Sequence, residues 1–317
     1  MACLARLRWR EVHFSYAANG CGAKNLSINQ IVAAAEGEIF SLGSDNTPRS
    51  YHRGTMNSLR EQALAVVQQP DPLGKVSLAR QLATSTAATG AGLLIAEPPG
   101  LPGRPARPEL VAHTDLKHRS LATVEGRAIL IHSIAHIELN AIDLALDVVW
   151  RFGGMPDAFY RDWIAIANEE ASHFTLLRDH LVTIGYDYGA FPAHNALWEM
   201  AERTKDDILA RIGLVPRTLE ARGLDASPAV KKKLVGAGDH KAGEILDVIL
   251  RDEIGHVAAG NRWYRRLCDE RGIDPVSTYA ELARRYDAPR LRGPINLEAR
   301  KLAGFTDAEL AEMASLR

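Results

Sequence analysis

The sequence predicts an all-α protein built on a four-helix bundle, with helices before the bundle and a helical extension after it. Three observations carry this expectation. Apolar residues recur at helical spacing through four long segments. Capping residues precede these segments, and Gly or Pro follows them. No segment has the period-two alternation of a strand; Val111 and the stretch 91–95 come nearest.

Residues 1–55 stand apart. They are rich in Gly, Ser and Asn and read as irregular. Met56 directly precedes an amphipathic stretch, Ser58 to Val67, so translation from Met56 would leave residues 1–55 outside the native protein; a native N-terminal peptide from upstream of Met56 would rule that out. A second helical stretch covers about 75–88. Five prolines between Glu97 and Pro108 then forbid a helix and predict an extended strap. Thr123 and Glu125 mark a helix start, and the apolar period runs on to Phe152. Asp157 can cap a second helix reaching Ile184, which Gly185 ends. Residues 186–194 read as extended. A third helix is expected over about 195–222, kinked at Pro216 and ended by Gly223, with a looser connection over 224–238. A fourth runs from about Asp239 to Glu270, before Gly272 and Pro275. The organisation is thus an irregular segment (1–55), N-terminal helices and strap (56–119), bundle (120–272) and C-terminal extension (273–317).

Bulk properties exclude little. A chain of 317 residues with a net charge of −1, 46% hydrophobic and 24% charged residues, is ordinary for a globular protein. The charge balance gives no overall attraction to nucleic acid or to an anionic membrane. Three scattered cysteines, Cys3, Cys21 and Cys268, fit neither a disulfide framework nor a zinc cluster and suggest a reducing cytoplasm. No uninterrupted apolar run approaches the roughly 20 residues of a membrane span.

The chemistry lies in two Glu-x-x-His motifs, Glu170 to His173 and Glu253 to His256. Residues three apart share a helix face, so each pair can grip one metal ion. One such motif means little: 20 Glu and 11 His give about 0.7 matches by chance. Register is the stronger signal. Glu138 precedes Glu170 by 32 residues, and Glu220 precedes Glu253 by 33. Two helical hairpins would therefore bring four Glu and two His to one depth. That ligand set, one Glu from each of two helices and Glu-x-x-His from each of the others, belongs to di-iron and di-manganese carboxylate bundles of ferritin-like type. The two parallel middle helices need a long link, and twelve extended residues, 186–197, reach the roughly 40 Å required. Two divalent ions would balance four carboxylates, and oxygen and imidazole donors without thiolate favour iron, then manganese, over structural zinc. Glu202, five turns before Glu220, competes with it if the third helix is straight. His132 and His136 point elsewhere than Glu138 and read as surface or interface residues. Glu199 and Asp206 read as solvated. Asp252 is a candidate to hold a ligand histidine from behind.

Several stretches resemble a known family. They are 135–143 (Ala-His-Ile-Glu-Leu-Asn-Ala-Ile-Asp), 169–174, 215–225, 251–256 and 294–300, together with the strap 102–110. In these the chain resembles the bacterial ferritin-like proteins grouped as domain of unknown function 455, over about residues 57–317. The resemblance implies the ferritin-like fold and a metal site, and no substrate. More distantly, the wider superfamily includes the tRNA hydroxylase acting on methylthio-isopentenyladenosine.

Three functions follow as expectations. The first is an oxygen-activating di-iron oxidoreductase, a hydroxylase or oxidase. The alternative is a metal-binding protein for iron handling or peroxide detoxification. The third is a structural or nucleic-acid-binding bundle stapled by metal. An oxidoreductase of this composition needs an external electron donor, because its cysteines cannot build a four-thiolate iron site. A tRNA partner would need a basic rim near the site, for which 231–233 and 284–285 are candidates. A homo-oligomer is compatible with the sequence; a membrane partner is not expected.

Overall fold

The computed structural model describes residues 58–116, 119–289 and 293–315. The expectations for residues 1–55 and for a start at Met56 lie outside these residues. Among the described residues the fold is all-α, with isolated bridges (Ser58 with Ala88, Leu110 with Ala193) and no strand.

Two short helices, α1 (Leu59–Gln68) and α2 (Pro72–Ala83), come first. Ser58 and Glu61 cap α1 reciprocally, and Asp71 caps α2 through the Gly74 amide. The bundle then opens with α3 (Val124–Arg151), capped by Thr123, and α4 (Asp157–Thr183), where Asp157 is not the expected cap but the first helical residue after Pro156 and accepts from the Thr89 hydroxyl at 2.7 Å. These two pack along each other, with α1 against α3 and α2 against α4. Arg60 of α1 is buried and donates to the carbonyls of Val149 at 3.3 Å and Trp150 at 2.6 Å. It thereby satisfies carbonyls at the C-terminus of α3 that have no helical partner.

The link from α4 differs from the expected twelve extended residues. It includes a short helix, α5 (Ala196–Arg203), and a break before α6 (Ile208–Leu214). Thr204 folds its hydroxyl back onto the Met200 carbonyl, and Asp207 accepts from the Leu209 and Ala210 amides to restart the chain as α6.

The third bundle helix also differs. A π turn, Val215–Glu220, follows α6 and continues directly into α7 (Ala221–Gly236). Gly223 does not end the helix, and 224–236 is helical rather than loose. Pro216, which lacks an N–H, opens the wide turn, and the Thr218 hydroxyl reaches back to the Gly213 carbonyl at 2.8 Å. Pro228 lies inside α7, where it cannot donate to the Leu224 carbonyl. Asn296 supplies that bond instead, from Nδ2 at 3.2 Å.

Helix α8 (His240–Arg271), capped by Asp239 and ended by Gly272 at φ +63°, packs on α6, the π turn, α7 and α4. The extension α9 (Pro275–Arg285), α10 (Leu297–Leu302) and α11 (Asp307–Ser315) closes over this side. Arg217 of the π turn is its anchor. It is buried among the rings of Tyr264, Tyr279 and Phe305 and pairs with Glu309 of α11 at 2.5 Å.

Among the described residues one helix, α3, is long and apolar enough to cross a membrane. Most of it is buried by other helices, and it carries Glu138, Asp143 and Asp147 inside the protein. It is the core helix of the bundle, and its interrupting carboxylates are why no uninterrupted apolar run was visible.

Candidate metal centre

Each cluster residue sits in the middle of a long helix: Glu138 on α3, Glu170 and His173 on α4, Glu253 and His256 on α8. Glu220 closes the π turn. Glu138, Glu170, His173 and Glu253 are buried, and each offers a donor atom within 4.8 Å of the other three. His173 Nδ1 lies 3.2 Å from Glu138 Oε2 and 3.4 Å from Glu170 Oε2. His256 Nδ1 lies 2.9 Å from Glu170 Oε1 and 3.5 Å from Glu253 Oε1. The two imidazole rings are 5.8 Å apart.

The histidines are held from behind in a crossed pattern. His173 Nε2 meets Asp252 Oδ2 of α8 at 3.2 Å, and His256 Nε2 meets Glu169 Oε2 of α4 at 2.7 Å. A carboxylate accepts, so each Nε2 carries the proton toward it, and each Nδ1 faces the cluster. Asp252 does hold a ligand-type histidine, and it is the one on the opposite helix. Glu169 was missed as its counterpart. The signal was in the sequence: both motifs read acid-Glu-x-x-His, 169–173 and 252–256.

Several buried atoms have no hydrogen-bond partner: Glu170 Oε1, Glu220 Oε2, Glu253 Oε2 and His256 Nδ1. His256 Nδ1 and Glu170 Oε1 approach to 2.9 Å, an ion pair when the ring is protonated, without the alignment of a hydrogen bond. Donors that share a third centre behave this way: bonds of about 2.1 Å at right angles place two donors about 3.0 Å apart. Each such atom costs roughly 1–3 kcal/mol, and four of the nine found among the described residues fall on these three glutamates and His256.

Electrostatics point the same way. Burial, then the charge of Glu170, pushes Glu138 well above the usual carboxylate range. Burial, then Glu253 and Glu170, does the same to Glu220. Glu253 is raised by burial and by Glu170. Burial works against a charge on Glu170 too, but His256 and His173 outweigh it and hold this carboxyl well below the usual range. Burial disfavours a charged His173, yet Glu138 and Glu170 lift it to about 11, and Glu170 and Glu253 likewise lift His256. Without another cation, protons must neutralise this cluster.

Glu220 lies near enough to Glu253 and Glu170 for their charges to act on it, though it is not one of the four residues whose donors share one group. Glu202 is exposed and accepts from Trp198 Nε1 at 3.0 Å, on the far side of the break at 204–207. Glu199 and Asp206 are exposed, as expected. His132 and His136 are buried rather than superficial. His132 Nε2 accepts the Gly189 N–H at 2.9 Å, and His136 Nδ1 meets the Tyr188 hydroxyl at 2.8 Å. They bind the chain leaving α4 onto the outer face of α3, a contact that the aromatic run 186–191 could have suggested.

A model of the family described as protein of unknown function (DUF455) matches residues 68–311, which include all six cluster residues. The chain belongs to this family. An uncharacterised protein of Haemophilus influenzae is 51% identical over 213 residues, covering 65% of this chain and 74% of the relative. No solved structure matches the chain.

Proposed function

We propose that this family member is a ferritin-like di-metal carboxylate protein and an oxygen-activating oxidoreductase, a hydroxylase or oxidase, with iron as the preferred metal and manganese the alternative. The observation that carries the proposal is the buried convergence of carboxylate and imidazole donors, several of them without any other partner. In this reading Glu138 and His173 would hold one ion and Glu220 and His256 the other, with Glu170 and Glu253 within reach of both. Supporting that division, Glu170 approaches both histidines, and Glu253 belongs to the His173 group while lying 3.5 Å from His256.

Bound iron would supply the one-electron steps that dioxygen reduction needs. The protein's own side chains do the rest. Asp252 and Glu169 fix the ring orientation and tautomer of His173 and His256. Burial excludes water and strengthens every charge interaction within the site. The electron donor is external and the substrate is a separate molecule. A cytoplasmic setting is the one that the three scattered cysteines suggest.

The test is anaerobic loading with ferrous iron, then exposure to air. Two iron per chain, oxygen consumption and a new visible absorption band are expected. Failure to bind metal would overturn the site, and binding without oxygen consumption would overturn the oxidoreductase. Faster reaction with peroxide than with dioxygen would favour the iron-handling reading.

A further inference from the structure

A second polar pocket lies on the outer side of α3. Its floor is a row of that helix, His136, Asn140 and Asp143, spaced four and three residues apart. Glu138 is about 200° around the helix from His136 and faces the other way. Lys75 of α2 and Tyr188 form the walls, and Arg104 and the prolines of the strap form the roof. The enclosed space is about 50 Å³, below that of a whole small-ligand site and on the scale of a few waters or one oxyanion group.

The charges in this pocket do not cancel. Lys75 pairs with Asp143 and also donates to the Gly103 carbonyl at 3.2 Å, so this buried pair is neutral as a unit. Both ring nitrogens of His136 are engaged, Nδ1 by Tyr188 and Nε2 by the His194 carbonyl at 3.1 Å. Arg104 remains. It is half-buried, and among the described residues its hydrogen bond goes to the neutral Asn195 Oδ1, at 2.5 Å from Nη2. The Asp143 carboxylate attracts it from within the pocket but is paired with Lys75, and no carboxylate among the described residues forms an ion pair with Arg104, so two cations face one anion. A guanidinium is always charged and presents a planar fork of donors that fits two oxygens at once. Pro70, Pro72, Pro105 and Pro108 have fixed φ, so the walls around that fork are set before any ligand arrives.

We propose that this pocket binds a small oxyanion, the carboxylate or phosphate group of a small-molecule ligand, on the Arg104 guanidinium. The site is distinct from the metal centre and does not depend on it.

Isothermal titration calorimetry on the full-length chain tests the proposal, with inorganic phosphate and succinate as probes. Saturable binding of one of them is expected at one site per chain, and the stronger probe identifies the oxyanion class. Arg104→Gln should weaken it about tenfold or more, because a charge-assisted pair is lost. Arg104→Lys should fall between, since a lysine keeps the charge without the fork. Arg80→Gln, at an exposed arginine outside the pocket, should bind like the unmodified chain. Unchanged circular dichroism and metal content in Arg104→Gln exclude misfolding as the cause. No saturable binding by the unmodified chain at millimolar probe, or equal binding by Arg104→Gln, would overturn the site.

Discussion

Glu170 reaches both histidines, with Oε2 3.4 Å from His173 Nδ1 and Oε1 2.9 Å from His256 Nδ1. Glu170→Ala should therefore release both metals together, as read by metal analysis of protein purified without added metal. One ion retained would show that the carboxylate is not shared. Asp252→Asn and Glu169→Gln act one layer out. Each should weaken metal affinity by about 10–100-fold in a chelator competition, with the helices intact. The titrations set a sign for pH. His173 is raised to about 11 from 6.5, so its charged form stabilises the metal-free fold fully below pH 6.5, and that contribution is lost as pH rises toward 11. Glu138, Glu220 and Glu253 are also raised, from 4.5, so they act in the same direction from about pH 4.5 upward. The metal-free protein should therefore melt at lower temperature as pH rises, by up to about 1.4 kcal/mol per pH unit for each proton it retains over the unfolded chain. Metal affinity should rise over the same range, because binding expels those protons. Thermal melts with and without metal between pH 5 and 9 check both slopes. At this scale much was legible in the sequence. Spacing alone paired Glu138 with Glu170 and Glu220 with Glu253. The crossed support by Glu169 and Asp252 was harder, because an acidic residue beside a ligand on a helix usually points into water.

The third bundle helix is where sequence and structure part. Pro216 read as a kink, Gly223 as a stop and 224–238 as a loose connection, yet the chain runs helically from Ile208 to Gly236 through the π turn. Local propensity lost to tertiary bonds that no local rule contains. The Asn296 amide, 72 residues away, serves the Leu224 carbonyl that Pro228 leaves free. Asn296→Ala should therefore destabilise the protein by about 1–2 kcal/mol, since it orphans that carbonyl and also removes the cap of α10, where Asn296 Oδ1 accepts from the Ala299 amide. Urea unfolding would read this as a lower midpoint with an unchanged slope. The π turn has a consequence for the site. It ends at Glu220, so the extra residue it accommodates sets where that carboxylate falls against α8. Buried Arg217, pinned by Glu309 and by Asn261 at 2.8 Å, holds the turn in place. A regular helical period through 208–236 would have put Glu220 in a different rotation, and this is why its offset from Glu253 was a better guide than its helix face.

Taken whole, the molecule holds a cluster that works against its own metal-free fold. The outline of the bundle was legible because α3, α4 and α8 have long apolar periods and α3 and α8 have side-chain caps. The packing of α1, α2 and the strap onto it was not, because it depends on buried polar contacts such as Arg60 on the end of α3 and Lys75 on Asp143. Those groups are partnered within the protein, whereas buried Glu253 and half-buried Glu220 each keep a buried oxygen without a hydrogen-bond partner. Their raised titration means that each costs stability once the unfolded chain would ionise. Glu253→Gln should separate the two demands on this position. The amide has nearly the same shape and no charge to bury, so the metal-free variant should melt above the unmodified protein at pH 8. With a ligand carboxylate gone, the same variant should lose the gain that metal gives. For the unmodified protein that gain is about 4 kcal/mol at a thousandfold excess over Kd, or roughly 10 °C in a domain of this size. Melting both proteins with and without ferrous or manganous ion decides the matter. A variant that melts lower without metal would mean that Glu253 is a structural hydrogen-bonding residue. A variant that keeps the full gain would mean that it is not a ligand.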